Sequence, residues 1–382
     1  MDGEQARSFE IRAVPVPEAL GAPDSREFEA MAEVAALVEE SVWGHRTFAW
    51  GPASLLPRYR DDRYQPMRAF AAWEGDRCVG RVECEWELSD GAETLDLAIG
   101  VLPDARRRGI GTALLEAARG LAADLGRDIL TGMSDVAAPA LEAPGARLEA
   151  RDGSGSIPAS DPGAAFATHH GFRLAQLERM SGQPLAGRAE EFSAASEAAE
   201  AAAADDPARY RIVTWVDHAP DHLVEGMAIA QAAMSTDPPA GESTYDVQQW
   251  DAARVRATEE QSIASGRTCL FAAAVLDDDV VAGFTELSVP GDSSATFQWS
   301  TIVLEPHRGH RLGMRLKLAN LVQLHRVAPE RTDVYTWNAD ENEHMLAINV
   351  ALGYRVLGLS ALWQRDDVAG ADSAGTGATN GS

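Results

Sequence analysis

The sequence predicts an α/β protein of two domains that share one fold, each a mixed, mostly antiparallel sheet flanked by helices. Three observations carry that prediction. The chain has 382 residues, room for about two domains of ordinary size. The order of strand-like and helix-like segments in the first half returns in the second. A constant shift, without gaps, lays Val101 on Val303, Arg106 on Arg308 and Gly111 on Gly313, as a duplication would.

In the first half, residues 9–14 read as a strand and 26–43 as a helix. Residues 68–73, 78–88 and 94–102 alternate as three strands, broken by the turn signals Glu-Gly-Asp at 74–76 and Ser-Asp-Gly at 89–91. A helix over about 109–125 puts Leu114, Leu115, Ala118 and Leu121 on one face, and a strand over 127–133 follows. The second half repeats this with a strand at 210–216, a helix at 221–234, strands at 268–276, 280–289 and 296–304, a helix at 309–326 and a strand at 332–337. A short helix at 342–352 and a last strand pair within 354–364 complete it. His170-Gly171-Phe172 matches Leu352-Gly353-Tyr354 at a smaller shift, so the first half carries extra residues. They fall in 136–158, a Pro/Gly/Ala stretch expected to be a loop. Residues 187–208, rich in Ala and Glu and holding Asp-Asp-Pro near their end, are expected as a partly helical linker between domains 1–186 and 209–366. The tail 367–382 is expected to be disordered.

Composition narrows the function. Lys and Arg number 33 against 59 Asp and Glu, a net charge of −26, which argues against broad attraction to nucleic acid or an anionic membrane. No stretch approaches ~18 consecutive apolar residues, and the N-terminus lacks a basic-then-apolar pattern. The expectation is a cytoplasmic monomer or homodimer. Cys78, Cys84 and Cys269 form no CxxC pair, so neither a disulfide framework nor a zinc site is indicated and no metal is expected. Cys78 and Cys84 sit in strand-like sequence and read as packing residues.

The feature that carries chemistry is LAIGVLPDARRRGIGTALL, residues 97–115. A strand ends, an arginine-rich turn follows, and Gly109 and Gly111 open an amphipathic helix. Unpaired N–H groups at a helix start, with the helix dipole and flanking arginines, favour a phosphate or pyrophosphate. A capped turn with solvated arginines is the plainer reading. There is no GxxxxGK[ST], and the one lysine, Lys317, lies elsewhere, so a P-loop is excluded. Antiparallel strands before the helix do not make a dinucleotide-binding βαβ unit.

Arg106-x-x-Gly109-x-Gly111, after Val-x-Pro and before Thr112-Ala113-Leu114-Leu115, resembles the acyl-CoA pyrophosphate loop of the GNAT N-acetyltransferases. The second half adds His307-Arg308-Gly309-His310-Arg311-Leu312-Gly313, then Tyr335-Thr336-Trp337-Asn338-Ala339, then Asn342 and Asn349-x-x-Leu352-Gly353-Tyr354. Together the halves resemble the tandem GNAT enzymes of actinobacteria, the broad group that includes mycothiol synthase.

The resemblance implies two splayed parallel strands per domain, 94–102 with 127–133 and 296–304 with 332–337, holding the pantetheine arm of acetyl-CoA as co-substrate. It implies backbone amides near Val101 or Val303 against the thioester. It further implies pyrophosphate held by Arg106, Arg107, Arg108, Gly109, Ile110, Gly111 and Thr112, or by Arg308, Gly309, His310, Arg311, Leu312, Gly313 and Met314, with Asn338 and Asn342 as further coenzyme contacts. A small-molecule amine would attack directly, with a carboxylate as base.

Family members often place an asparagine and then a tyrosine acid before the Gly-Phe. Here the first half has Ser160 and Ala167, and the second has Asn342 and Asn349. Arg311 stands where the first loop glycine is usual, which is tolerable only if the backbone there needs no positive φ. The second domain is favoured as catalytic, with Glu286 as the candidate base; an outward-facing strand carboxylate is the alternative for it. Glu83, Glu85, Asp96 and His344 are lesser candidates, Tyr245 and Tyr354 could supply a phenol, and Trp299 and Trp337 read as packing residues. A non-catalytic acyl-CoA-binding or scaffold protein is the alternative function, because the tyrosine acid is missing from both halves.

Overall fold

The computed structural model describes residues 9–206, 208–237, 241, 243–340 and 342–366, so the tail expected at 367–382 lies outside the described residues. The first half runs β1 (Glu10–Ala13), α1 (Arg26–Trp43), α2 (Pro52–Arg60), β2 (Met67–Glu74), β3 (Arg77–Glu85), β4 (Thr94–Val101), α3 (Ile110–Leu125) and β5 (Ile129–Ala137). It continues with α4 (Ala138–Leu141), β6 (Arg147–Glu149), β7 (Ser156–Pro158), α5 (Pro162–His169) and β8 (Arg173–Pro184). The second half runs α6 (Ala189–Ala202), β9 (Arg211–Val216), α7 (Val224–Ala233), α8 (Ala252–Ala264), β10 (Arg267–Val275), β11 (Val281–Pro290), β12 (Ala295–Val303), α9 (Leu312–Val327), β13 (Asp333–Ala339), α10 (Glu343–Leu352) and β14 (Arg355–Asp366).

Twelve strands form one sheet in the order β1-β2-β3-β4-β5-β14-β8-β13-β12-β11-β10-β9. Among the described residues only β4 with β5 and β12 with β13 pair in parallel. The halves exchange their last strands. β14 pairs with β5, and β8 pairs with β13, so each half's sheet is completed by the other half's final strand. Trp363 of β14 accordingly lies in the N-terminal core with Leu95 and Leu130.

The sequence expectation did not name α2, α5, β8 or α8, and three further segments differ from it. The strand pair expected within 354–364 is the single strand β14. Its register shifts at Gly358, a bulge that bends the strand without reversing it. The extra residues of 136–158 are not all loop: they hold α4 and the small β6–β7 hairpin. Residues 187–208 contain α6, whose Phe192, Ala195 and Ala199 pack with Leu318 and Leu321 of α9. One aromatic is enough there because alanines at helical spacing extend its face.

Candidate active site at the splayed strands

Both expected splays exist. β4 and β5 stay paired from Thr94–Ile129 to Leu97–Gly132 and then separate. β12 and β13 stay paired from Ala295–Asp333 to Gln298–Thr336 and then separate. Beyond those points each half has two strand edges with backbone groups free to meet a chain laid between them. Gly132 is required at the N-terminal branch point, since a Cβ there would lie 2.8 Å from the Leu97 carbonyl oxygen.

The two helix-start loops share one geometry. Arg106 Nε donates to the Val101 carbonyl at 3.0 Å, and Arg308 Nε donates to the Val303 carbonyl at 3.0 Å. These arginines brace the end of the splayed strand. Two positions in each loop are left-handed: Arg107 (φ 63°) and Gly109 (φ 83°) in the first, Gly309 (φ 90°) and Arg311 (φ 56°) in the second. The condition set for Arg311 is therefore not met, because its backbone is at positive φ. Each loop has its glycine at a different one of two left-handed positions and meets a penalty of roughly 1–2 kcal/mol at the other. Arg311 does not distort the second loop. Gly111 and Gly313 serve packing: a Cβ would lie 2.9 Å from the Phe166 ring and 3.0 Å from Ile348. Arg107, Arg108 and Thr112 are exposed, Ile110 is buried under the helix, and Arg108 pairs with Glu74. The first N–H groups of α3 and α9 lack intrahelical acceptors, as in any helix.

On the α1–α2 face of the N-terminal splay lies a cavity of about 480 Å³. Glu83, Glu85, Asp96 and Glu178 line it. Two of these carboxylates are neutralised. Glu83 pairs with Arg81 and accepts from Tyr59 Oη at 2.8 Å, and Glu85 takes both contacts of Arg58 Nη2 at 3.0 and 3.1 Å. Asp96 and Glu178 have no cationic partner among their described contacts. Asp96 is open to the cavity, yet protein crowds it on its other sides. That desolvation pushes its pKa up to about 6, against the Thr131 hydroxyl, whose hydrogen bond favours the charge. Burial pushes Glu178 up to about 7, with Asp135 adding repulsion. Asp96 pairs with Thr131 one step before the strands part, so it stands at the mouth of the splay.

The C-terminal counterpart is closed. Glu286 holds the position of Glu83, each being the third residue after a glycine, Gly283 or Gly80, that pairs with the last residue of the next strand. Glu286 faces Trp250, Thr258 and Ser262 in a cavity of about 30 Å³, the space of a single water. Burial pushes its pKa up to about 7, and the Arg267 charge and the Cys269 thiol oppose that shift. One step past the branch point, where the N-terminal half has Ala98 and Met133, Trp299 stacks on Trp337 at 5.6 Å with a 10° tilt, and Phe297 stacks on Trp299 at 5.5 Å.

The loop between the first two helices of each half crosses to the other half. Residues 44–51 bring Phe48 against Tyr335 at 4.8 Å and Trp50 against Phe297 at 5.4 Å. The segment following α7 brings Ser243, Thr244 and Tyr245 to the wall of the N-terminal cavity. The Asp246 carboxylate there accepts from Glu93 N at 2.8 Å, Thr94 N at 3.2 Å and Thr94 Oγ1 at 2.7 Å. Behind it Arg254 and Glu87, both buried, form a two-point ion pair at 2.8 and 3.0 Å.

The remaining candidates have structural partners. Asn342 Oδ1 caps α10 by accepting from Met345 N at 3.2 Å. Asn338 accepts from Asn349 at 2.6 Å, and Asn349 accepts from the buried Lys317 ammonium at 2.8 Å. His310 meets Asp206 at 2.7 Å; Gly309, Arg311 and His344 are exposed; Leu312 is buried and Met314 is half-buried. Tyr354 is a core residue with Lys317 over its ring. Burial pushes the Cys78 thiol up to about 11 and the Cys84 and Cys269 thiols up to about 12, so none is a ready nucleophile. Sequence reading weighed Asp96 lightly and missed Glu178. Its signal is the one carboxylate in the run RLAQLERM, but β8 itself went unrecognised.

Residues 35–141, which include β4, the first loop and β5, match the acetyltransferase (GNAT) family. A solved tandem GNAT protein from the clavulanic acid biosynthesis pathway is similar along 94% of this chain and 98% of its own, at 26% identity and a TM-score of 0.68. A GCN5-related N-acetyltransferase from Sphaerobacter thermophilus shares the fold across 94% of this chain and 96% of its own, at 15% identity and a TM-score of 0.57. No curated protein matches the sequence. Both halves have the GNAT fold. No helix among the described residues is long and apolar enough to cross a membrane.

Proposed function

We propose that the protein is an acyl-CoA-dependent N-acyltransferase that moves an acetyl group from acetyl-CoA to the primary amine of a small molecule, and that its N-terminal half does the chemistry. The observation that carries this is the contrast between the two splays, one open onto a cavity with uncompensated carboxylates and one with two indoles stacked on each other just past its branch point. The residues fit the coenzyme. The strand edges past Leu97 and Gly132 offer backbone groups to a pantetheine arm, and the α3 N-terminus with Arg107 offers positive potential to a pyrophosphate. Amides near Val101 would favour negative charge on the thioester oxygen.

The acyl group passes from sulfur to nitrogen: the C–N bond forms, the C–S bond breaks, and the thiolate leaves. Asp96, accessible and with its pKa raised, takes the proton that the attacking nitrogen sheds. The same proton then neutralises the thiolate, so no tyrosine acid is required. The test is thiol release from acetyl-CoA with primary amines, followed against pH. Asp96 must be ionised to act, so kcat is expected to rise on an acid limb near pH 6. Binding of acetyl-CoA without thiol release for any amine would favour the scaffold reading instead.

A further inference from the structure

The N-terminal cavity is built by both halves, and its shape says something about what enters it. At about 480 Å³ it falls within the range that holds drug-sized ligands and far exceeds an acetyl group with a bare amine. Two large apolar side chains lie open in it, Met133 at 55% and Tyr245 at 49% exposure. Trp50 and Trp363 add ring surface. Apolar surface left open inside a concave site is where a ligand's apolar part is buried. The cavity is not a run of free negative charge, because Arg81 and Arg58 hold Glu83 and Glu85.

Tyr245 reaches this cavity from the other half of the chain. Besides the three donors on Asp246, Thr244 N donates to Gln364 Oε1 at 2.7 Å and Ser89 Oγ donates to the Val247 carbonyl at 3.1 Å. Side chains and backbone of β4, β14 and the turn before β4 thus fix the loop on both sides of Tyr245. Burial keeps the phenol pKa well above its usual value, so the ring is neutral at any working pH.

Resting on the N-terminal transfer site proposed above, we infer that the acceptor is an amine carrying an apolar, ring-sized body, and that Tyr245, delivered by the C-terminal half, selects it. The amine lies toward Asp96 and the body lies against Tyr245 and Met133. The C-terminal half is then a working part of the acceptor site although Glu286, its own candidate base, is enclosed.

The experiment compares the full-length protein with Tyr245→Ala, Tyr245→Phe and Asp246→Ala, using phenethylamine, tyramine, ethylamine and spermidine as probes at saturating acetyl-CoA. The wild type is expected to prefer phenethylamine over ethylamine in kcat/KM by at least about tenfold. Tyr245→Ala lowers that ratio about tenfold through the amine KM, with the acetyl-CoA KM unchanged, and Tyr245→Phe keeps it. Asp246→Ala lowers it too, because the tyrosine remains but is no longer pinned. Tyr245→Ala retaining the ratio, or the wild type favouring spermidine, overturns the inference and leaves the transfer reading standing. Turnover of none of the four amines by the wild type overturns both.

Discussion

The two crossed loops are the same element in the two halves, the connection between the first pair of helices, and they do opposite things. Residues 44–51 carry Phe48 and Trp50 onto Phe297 and Tyr335, extending the aromatic stack beside the C-terminal splay. The longer connection between α7 and α8 carries Tyr245 to the edge of the N-terminal cavity and stops there, held by Asp246. A duplicated fold with one helix-start loop geometry in both halves can therefore carry different side chains at its two splays. What differs is side-chain size one step past the branch point, Ala98 and Met133 against Trp299 and Trp337.

The sharpest way to break the comparison is a pair of substitutions. Asp96→Asn is expected to lower kcat by about 10²–10⁴-fold, the usual worth of a general base, and to remove the acid limb. Glu286→Gln, at the position matched to Glu83 in the closed half, is expected to leave kcat within about twofold. Steady-state thiol release checks both, and a larger loss in Glu286→Gln would return the chemistry to the C-terminal half.

A smaller effect, on stability, tests whether the C-terminal polar groups are structural. Lys317 is buried, its partner Asn349 is neutral, and burial pushes its pKa down to about 7. The folded state then binds fewer protons than the unfolded state between pH 7 and the ordinary lysine value. Wild-type stability should rise with pH across that window. Lys317→Met should flatten the slope and gain up to about 4 kcal/mol at pH 7, a gain that vanishes near pH 10.5. Urea unfolding at pH 7 and pH 10 measures it.

Much of this was legible in the sequence. The duplication, the succession of strands and both helix-start loops follow from periodicity and turn residues, because those are local, whereas both parallel pairs came from the resemblance to GNAT enzymes. The strand exchange was not legible, since β8 and β14 have the same alternation whichever neighbour they pair with. The crossed loops were invisible for the same reason: nothing local to Tyr245 says that it lies beside Asp96. Glu286 was a reasonable candidate by position and is matched by Glu83, but what encloses it comes from α7 and α8, elements far along the chain. Arg311 misled because a glycine one turn position away supplies only one of the two left-handed residues.

The most direct test is a crystal structure of the full chain with a non-hydrolysable acetyl-CoA analogue. The account predicts one molecule per chain, its pantetheine between β4 and β5 and its thioester end beside Asp96, with Trp299 and Trp337 still stacked. Pantetheine between β12 and β13, with those indoles displaced and the N-terminal splay empty, would contradict it.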